Sequence, residues 1–148
     1  MRIIAGRHRG TKLAEPAGAS TRPTADRVRE SLFDILAGGR FGEVVIDARV
    51  IDAFAGTGAL GLEALSRGAA HASFIERDTG ALKTLRSNIV RVRREADTAV
   101  ISGDATNIAS WRGHAAGLLL ADAPYGSGEG LTVAARLAEL GALAPGAL

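Results

Sequence analysis

Hydrophobic positions along the chain follow two spacings, one typical of strands and one typical of helices. Short apolar runs predict buried strands, and they cover residues 44–54, 71–76, 98–102 and 117–122. Apolar residues at helical spacing predict helices that begin near residues 24, 59, 79 and 129. Strands that alternate with helices favour an α/β fold with a mostly parallel, doubly wound sheet and right-handed crossovers.

The two ends of the chain depart from this alternation. "RIIAG" and "TKLAEP" read as short strands around a glycine-flanked basic turn, which indicates a β-hairpin. We therefore divide the chain into a basic hairpin extension, residues 1–20, and an α/β domain, residues 21–148. The chain stops at "LAPGAL", where an open sheet normally begins another strand. The last strands are thus expected to be missing, which would expose one sheet edge.

The helical segments also predict which side chains are buried and which residues begin each helix. In the first helix the expected buried stripe consists of Val28, Leu32, Ile35 and Leu36. Thr79 and Asp104 are expected to cap two later helices, since side-chain oxygens there can accept free backbone N–H groups.

Length and composition exclude several classes of protein. The 148 residues fit one globular domain, 47% hydrophobic and 23% charged. The sequence shows no apolar run long enough to span a membrane and no signal-peptide pattern. It has no cysteine, and its three histidines are scattered. We therefore expect a cytoplasmic protein with no metal and no membrane contact.

Positive charge is concentrated near the N-terminus. Residues 1–29 contain seven basic and two acidic side chains, although the whole chain has a net charge of only +2. A basic arm on a mildly acidic body indicates a polyanionic partner, although a solvated charged surface would show the same pattern.

A glycine-rich turn joins the first predicted strand to the next helix. In "IDAFAGTGALG" the G-x-G-x-x-G spacing lets the backbone turn tightly and approach a ligand at a helix N-terminus. Glu76 ends the next strand, where a carboxylate can accept both ribose hydroxyls of an adenosine-containing cofactor. The predicted contacts of this cofactor are Phe54, Ala55, Gly56, Thr57, Gly58, Gly61, Glu76 and Arg77.

Four carboxylates lie at the C-terminal ends of successive predicted strands, namely Asp52, Glu76, Asp104 and Asp122. Open α/β sheets bind ligands at this edge. Asp52 could hold a methionine ammonium group, which a dinucleotide lacks, while Asp104 and Ala105 are placed for an adenine edge. The pattern therefore favours S-adenosylmethionine over a dinucleotide.

The last of these acids begins the segment Asp122-Ala123-Pro124-Tyr125. A carboxylate and a nearby carbonyl that accept both N–H bonds of an exocyclic amine would hold it in line and stabilise the charge developing on nitrogen. Pro124 fixes the backbone, and the Tyr125 ring can stack on a base taken out of its helix. Asp122, Pro124 and Tyr125 are therefore the predicted catalytic residues.

Five segments together resemble the bacterial 16S ribosomal RNA guanine-N2 methyltransferases (the RsmD type): "MRIIAGRHRGTKL", "RPTADRVRESLFDIL", "IDAFAGTGALGLEALSRGA", "FIERD" and "DAPYG". The glycine loop is shared by many methyltransferases, whereas the two N-terminal segments are more specific. The resemblance covers essentially the whole chain. It implies a Rossmann-like class I methyltransferase domain, S-adenosylmethionine as donor, and a monomer acting on 16S rRNA or a small-subunit assembly particle.

The resemblance also implies a role for each matching position. The glycine loop and Glu76 would hold the donor, with Asp104 near its adenine, while Asp122 and Pro124 would hold the amine and Tyr125 the base. Phosphates of the rRNA would be contacted by Arg7, Arg9, Lys12, Arg22, Arg27 and Arg29. A carboxylate of the cofactor is the alternative partner for one of the last three.

The chain departs from the family at two points. The family's motif is Asp-Pro-Pro-aromatic, and Ala123 replaces its first proline, so we expect weakened rather than abolished catalysis. Family members also continue beyond "PGAL". Three alternatives stay open: transfer to adenine N6 or another amine, a catalytically silent cofactor- or RNA-binding remnant, and, more distantly, a dinucleotide oxidoreductase.

Overall fold

A parallel sheet with helices on both faces forms the centre of the molecule. The computed structural model describes residues 1–16, 23–124 and 126–148. The helices are α1 Pro23–Ala37, α2 Ala59–Ser66, α3 Thr79–Arg91 and α4 Glu129–Glu139, and 3₁₀ turns span Glu95–Asp97 and Ala105–Asn107. The strands are β1 Arg49–Ala53, β2 His71–Glu76, β3 Thr98–Ser102 and β4 Leu118–Ala121.

The four strands are parallel and lie in the order β3-β2-β1-β4. Asp52 on β1 is in register with Phe74 on β2 and with Leu120 on β4, so the carboxyl ends of the strands meet at one edge. The strand order reverses between β1 and β4, and such a switch point opens a crevice. The predicted α/β, Rossmann-like class is confirmed.

Side chains alternate between the two faces of the sheet. Val50 and Phe74 belong to a core shared with α1, α2 and α3. Ile51 and Ile75 belong to a second core, which includes Val133 of α4. Because both faces are covered, the strands read as continuous apolar runs in the sequence.

The buried stripe predicted for α1 is wrong for two of its four residues. Val28 and Ile35 are 63% and 58% exposed, whereas Arg29 and Phe33 are buried. Arg29 faces inward because its guanidinium forms a salt bridge with the buried carboxylate of Glu63 on α2. Because Arg29 faces Glu63, the buried side of α1 differs from the side on which the sequence places Val28 and Ile35.

Two element boundaries also differ from the prediction. β1 begins at Arg49 because Asp47 has a φ of 60° and donates its N–H to the Gly68 carbonyl, which interrupts the extended run. The cap of α3 is Asp78 rather than Thr79, since the Asp78 carboxylate accepts a backbone N–H of the first turn at 2.8 Å.

Residues 1–14, called the N-terminal arm below, form a hairpin-like loop. It has one antiparallel bridge, between Arg2 and Lys12, in place of the two predicted strands. Ile3 and Leu13 are buried in the core shared with α1, α2 and α3. The arm is therefore packed into the rest of the molecule. The division at residue 20 stays a prediction, since residues 17–22 lie outside the described part.

The edge of β4 away from β1 is partly paired. The Leu119 N–H donates to the Leu148 carbonyl at 2.9 Å, and the Leu148 N–H donates to the Gly117 carbonyl at 3.0 Å. The expected exposed edge is therefore covered along part of β4.

Candidate active site

The glycine-rich loop turns the chain sharply between β1 and α2. Phe54, Gly56 and Gly58 have φ values of 55°, 56° and 86°. A non-glycine residue such as Phe54 is strained in this region, and strained residues cluster at functional sites. A Cβ at Gly61 would overlap the Phe74 ring, so glycine lets α2 approach β2. A Cβ at Gly56 would meet no atom within 4 Å, which leaves this backbone open to a ligand.

The carboxyl group of Asp52 lies beneath this loop and is only 1% exposed. Its Oδ2 accepts the Gly61 N–H at 2.9 Å, while Oδ1 has no hydrogen-bond partner among the described residues. Burial raises the pKa of Asp52 to about 8, with smaller contributions from the charges of Asp122 and Glu76, against a lowering by the Gly61 N–H. One oxygen of a buried carboxyl is thus available to a cation.

Asp52 makes the stability of the unliganded protein depend on pH. Its folded-state pKa of about 8 lies above the ordinary value of 3.8, so the folded protein keeps a proton that the unfolded chain loses. The stabilisation is complete below about pH 4 and is lost as the pH rises through about 8. In thermal unfolding, the melting temperature of the wild type should fall relative to that of Asp52→Asn between about pH 5 and about pH 9. Parallel pH profiles for the two proteins would contradict this assignment.

Glu76 ties the end of β2 to the glycine loop. Its Oε1 accepts the Gly56 N–H at 2.7 Å, and its Oε2 accepts the N–H groups of Arg77 and Asp78, each at 2.9 Å. Each carboxylate oxygen has two lone pairs, so three of the four are occupied and Oε1 can still accept one hydroxyl group from a ligand while the group holds the loop.

Asp104 follows β3 and caps the 3₁₀ turn, as predicted. Its Oδ1 accepts the Thr106 N–H at 2.9 Å and the Thr106 hydroxyl at 2.7 Å. These two hydrogen bonds lower the pKa of Asp104, and the Arg77 guanidinium, 3.7 Å from Oδ2, acts in the same direction. The carboxylate is therefore ionised at the carboxyl edge of the sheet.

Two cavities open at this edge and share two residues. The smaller has a volume of about 370 Å³ and is lined by Glu76, Asp104 and Glu129. The larger has a volume of about 780 Å³ and is lined by Asp52, the glycine loop, α1 and the end of β4. Phe54 and Asp122 line both cavities. The four predicted acids are thus brought to one edge, with Asp122 between the two spaces.

The segment after β4 forms a turn that is closed by hydrogen bonds between its own residues. The Pro124 carbonyl accepts the Ser127 hydroxyl at 2.7 Å and the Ser127 N–H at 3.2 Å. Asp122 is exposed, and no hydrogen bond or salt bridge engages its side chain among the described residues. Tyr125, the predicted stacking residue, lies outside the described part of the chain.

Sequence reasoning missed one residue that supports the loop. Asn88 is fully buried on α3, and its Nδ2 donates to the Thr57 carbonyl at 2.9 Å and to the Ala14 carbonyl at 3.1 Å. Its Oδ1 accepts the Ala14 N–H at 2.7 Å. The signal in the sequence is a polar residue beside Ile89, inside the apolar stripe of a helix.

The residues predicted to bind RNA phosphates fall into three groups. Four are exposed: Arg7, Arg9, Lys12 and Arg27. Arg29 is 5% exposed and bonds to Glu63, Asp26 and the Arg2 carbonyl. Because the fold engages its guanidinium from three directions, we correct its role from phosphate contact to structural support. Arg22 lies outside the described residues.

The described part of the chain has neither a candidate metal-binding cluster nor a helix that could span a membrane. Within residues 1–16, 23–124 and 126–148, no cluster of three or more acidic or histidine side chains could hold a metal ion. Over the same ranges, no helix is long and apolar enough to cross a membrane.

A family model matches the whole chain, and individual known proteins match most of it. The model of the family "Conserved hypothetical protein 95" matches residues 1–148. Ribosomal RNA small subunit methyltransferase D of Escherichia coli K12 is 41% identical over 128 residues, covering 86% of this chain and 62% of that protein. The protein of the same name in Haemophilus influenzae is 38% identical over 101 residues, covering 68% and 50%. The chain therefore spans between half and two thirds of these relatives.

Solved structures of other proteins superimpose on this fold. The Escherichia coli protein yhhF, described as a proposed methyltransferase, superimposes with a TM-score of 0.81 at 40% identity, covering 97% of this chain and 75% of that one. The C-terminal domain of precorrin-6Y C5,15-methyltransferase from Rhodobacter capsulatus has a TM-score of 0.67 at 19% identity, covering 91% and 64%, which concerns the fold alone.

Proposed function

The chain belongs to the family "Conserved hypothetical protein 95", and on that premise we propose that it transfers a methyl group from S-adenosylmethionine to the exocyclic N2 amine of a guanine in 16S rRNA. The proposal is supported by the names of the relatives, which give the class of substrate, and by two cavities that share Phe54 and Asp122 and offer room for a donor and an acceptor. We further propose that it acts as a monomer in the cytoplasm, on rRNA or on a small-subunit assembly particle.

The observation that carries the proposal is Oδ1 of Asp52 in the wall of the larger cavity, for which the described part of the chain provides no hydrogen-bond partner. A buried carboxyl oxygen without a donor is costly unless a ligand supplies one. The ammonium group of a methionine moiety is such a donor, and its charge would lower the pKa of Asp52 and release the proton. A dinucleotide brings no such cation.

The rest of the donor fits the remaining groups. Glu76 would accept a ribose hydroxyl at its remaining lone pair on Oε1. Asp104, with Ala105, would lie beside the adenine in the smaller cavity. The open backbone at Gly56 allows close approach. When bound, the donor supplies a methyl group already activated on a sulfonium.

The acceptor side depends on Asp122, which lines both cavities. Its carboxylate and the Ala123 carbonyl would accept the two N–H bonds of the amine and orient its lone pair. The same carboxylate stabilises positive charge as it develops on nitrogen. The proton then passes to solvent, so no buried general base is required. Pro124 and Tyr125 keep their predicted roles of fixing the backbone and stacking on the base.

A paired ligand test separates the donor classes. S-adenosylhomocysteine should raise the melting temperature of the purified chain in a saturable way, while NAD should leave it unchanged. Asp52→Asn should weaken S-adenosylhomocysteine binding about 10- to 100-fold, since a charged hydrogen bond is lost. Asp34→Asn, which alters an exposed carboxylate away from the cavities, is the matched control. Stabilisation by NAD alone would overturn the proposal.

A further inference from the structure

Helix α3 and the turn after it form a basic segment without an acidic residue. Residues 79–94 contain five basic side chains and no aspartate or glutamate. Arg94 is buried and paired with Asp97. The other four are exposed, namely Lys83, Arg86, Arg91 and Arg93.

The described residues provide no partner of opposite charge for these four exposed cations. Within the described residues none of them forms a salt bridge, whereas Arg29, Arg67, Arg77 and Arg136 each pair with a carboxylate. An external anion could therefore bind them without first breaking an ion pair.

The N-terminal arm lies along the same helix. His8 Nε2 is 3.3 Å from Arg94 Nη1, the Lys12 carbonyl accepts from Arg91 Nη1 at 3.0 Å, and Ala14 bonds to Asn88. Asn88 and Arg91 are three residues apart on α3, and Arg94 lies in the turn after it, so the arm lies beside the C-terminal part of the helix. At about 100° per residue, Lys83 lies about 80° from Arg91 around the helix and Arg86 lies about 60° further on, so these cations spread over the exposed face of α3 and the arm flanks this face on the Arg91 side. The exposed cations of this face and of the arm are together called the arm–α3 surface: Arg9, Lys12, Lys83, Arg86, Arg91 and Arg93.

Helix stability alone does not account for this surface. Basic residues at a helix C-terminus interact favourably with the helix dipole, which explains Arg91 and Arg93. Lys83 and Arg86 lie away from that end and are like charges three residues apart, which is a destabilising spacing. A polyanion bound across the surface would offset this repulsion.

We propose that the arm–α3 surface binds the phosphate backbone of the RNA substrate, extending the contact beyond the residues of the arm. The inference rests on the proposed function, since it assumes that the acceptor is RNA. Arginine predominates, and its planar guanidinium suits phosphate oxygens. A membrane surface fits less well, because Val90 is the one large apolar side chain of α3 that is strongly exposed, and interfacial helices need a broad apolar face.

The test compares two double variants with the same loss of charge. Lys83→Gln/Arg86→Gln removes two cations of the surface that contact nothing in the candidate active site. Arg40→Gln/Arg112→Gln removes two exposed cations elsewhere and is the control. Binding of an unmodified 16S rRNA transcript is measured against KCl concentration. The first variant should weaken binding about tenfold at moderate salt and reduce the slope of log K against log[KCl] by about one to two, since each phosphate contact contributes about 0.7–0.9.

The control variant should keep the wild-type affinity and slope, and both variants should keep the wild-type affinity for S-adenosylhomocysteine. Equal RNA affinities and slopes for the two variants would overturn the proposal, as would an absence of RNA binding by the wild type. Loss of binding to phosphatidylglycerol vesicles with unchanged RNA binding would assign the surface to membranes instead. Failure of the wild type to bind S-adenosylhomocysteine would contradict the proposed function separately, because RNA binding is measured without the cofactor.

Discussion

Replacing Asp122 by alanine is expected to slow methyl transfer by about 10²–10³-fold, the usual effect of removing one group that stabilises transition-state charge. Asp122 is exposed between the two cavities, and no other described side chain engages it. Its loss should therefore act on the acceptor without disturbing the fold. Single-turnover methylation of rRNA is the measurement, with S-adenosylhomocysteine binding as the readout for an intact donor site.

Asp122→Asn is the matched variant, because it keeps the shape and removes the charge. If charge stabilisation dominates, both variants should lose most of their activity and retain binding. Retained methyl transfer in Asp122→Ala would remove this carboxylate from the mechanism, whereas loss of donor binding would reassign it to the donor site.

Replacing Glu63 by alanine is expected to lower the free energy of unfolding by about 3–5 kcal/mol, the range for breaking a buried ion pair. Glu63 is fully buried. It accepts hydrogen bonds from the N–H groups of Ile4 and Ala5 at 2.9 and 3.1 Å and from the Nε atoms of Arg29 and Arg67 at 3.3 and 2.9 Å. Without it, two guanidinium groups and two arm N–H groups lose their shared acceptor.

Urea unfolding measures this loss. Glu139→Ala is the control, since Glu139 forms an exposed pair with Arg136 and such pairs contribute little. Amide hydrogen exchange should also show the N-terminal arm opening first in Glu63→Ala. Similar urea midpoints for the two variants would show that the arm is not anchored through Glu63.

Much of the site follows from local patterns. The glycine spacing, the strand ends and the acids after them are short-range features, and a parallel sheet necessarily brings its carboxyl ends to one edge. Asp52, Glu76, Asp104 and Asp122 can therefore be placed together from the amino-acid sequence alone. The capping role of Asp104 is equally local, since its partner Thr106 is two residues away.

The errors at Arg29 and Asn88 have a different cause, which is dependence on distant partners. The sequence predicts that Arg29 is exposed and contacts phosphate, because its partner Glu63 lies 34 residues away along the chain. In the sequence, Asn88 only interrupts the apolar stripe of a helix. Its role depends on hydrogen bonds to Ala14 and Thr57, which lie far from it along the chain. Periodicity reports the average polarity of a face and cannot identify a buried polar pair formed between separate elements.

The most direct test of the central claim is the chemical identity of the methylated product. The wild-type chain is incubated with labelled S-adenosylmethionine and small-subunit rRNA that lacks the modification, the RNA is digested, and the nucleosides are separated. We predict label in N2-methylguanosine at a single site, and an initial rate of labelling about 10²–10³-fold lower when Asp122→Ala replaces the wild type. Label in N6-methyladenosine, or none in any nucleoside despite bound S-adenosylhomocysteine, would contradict the claim.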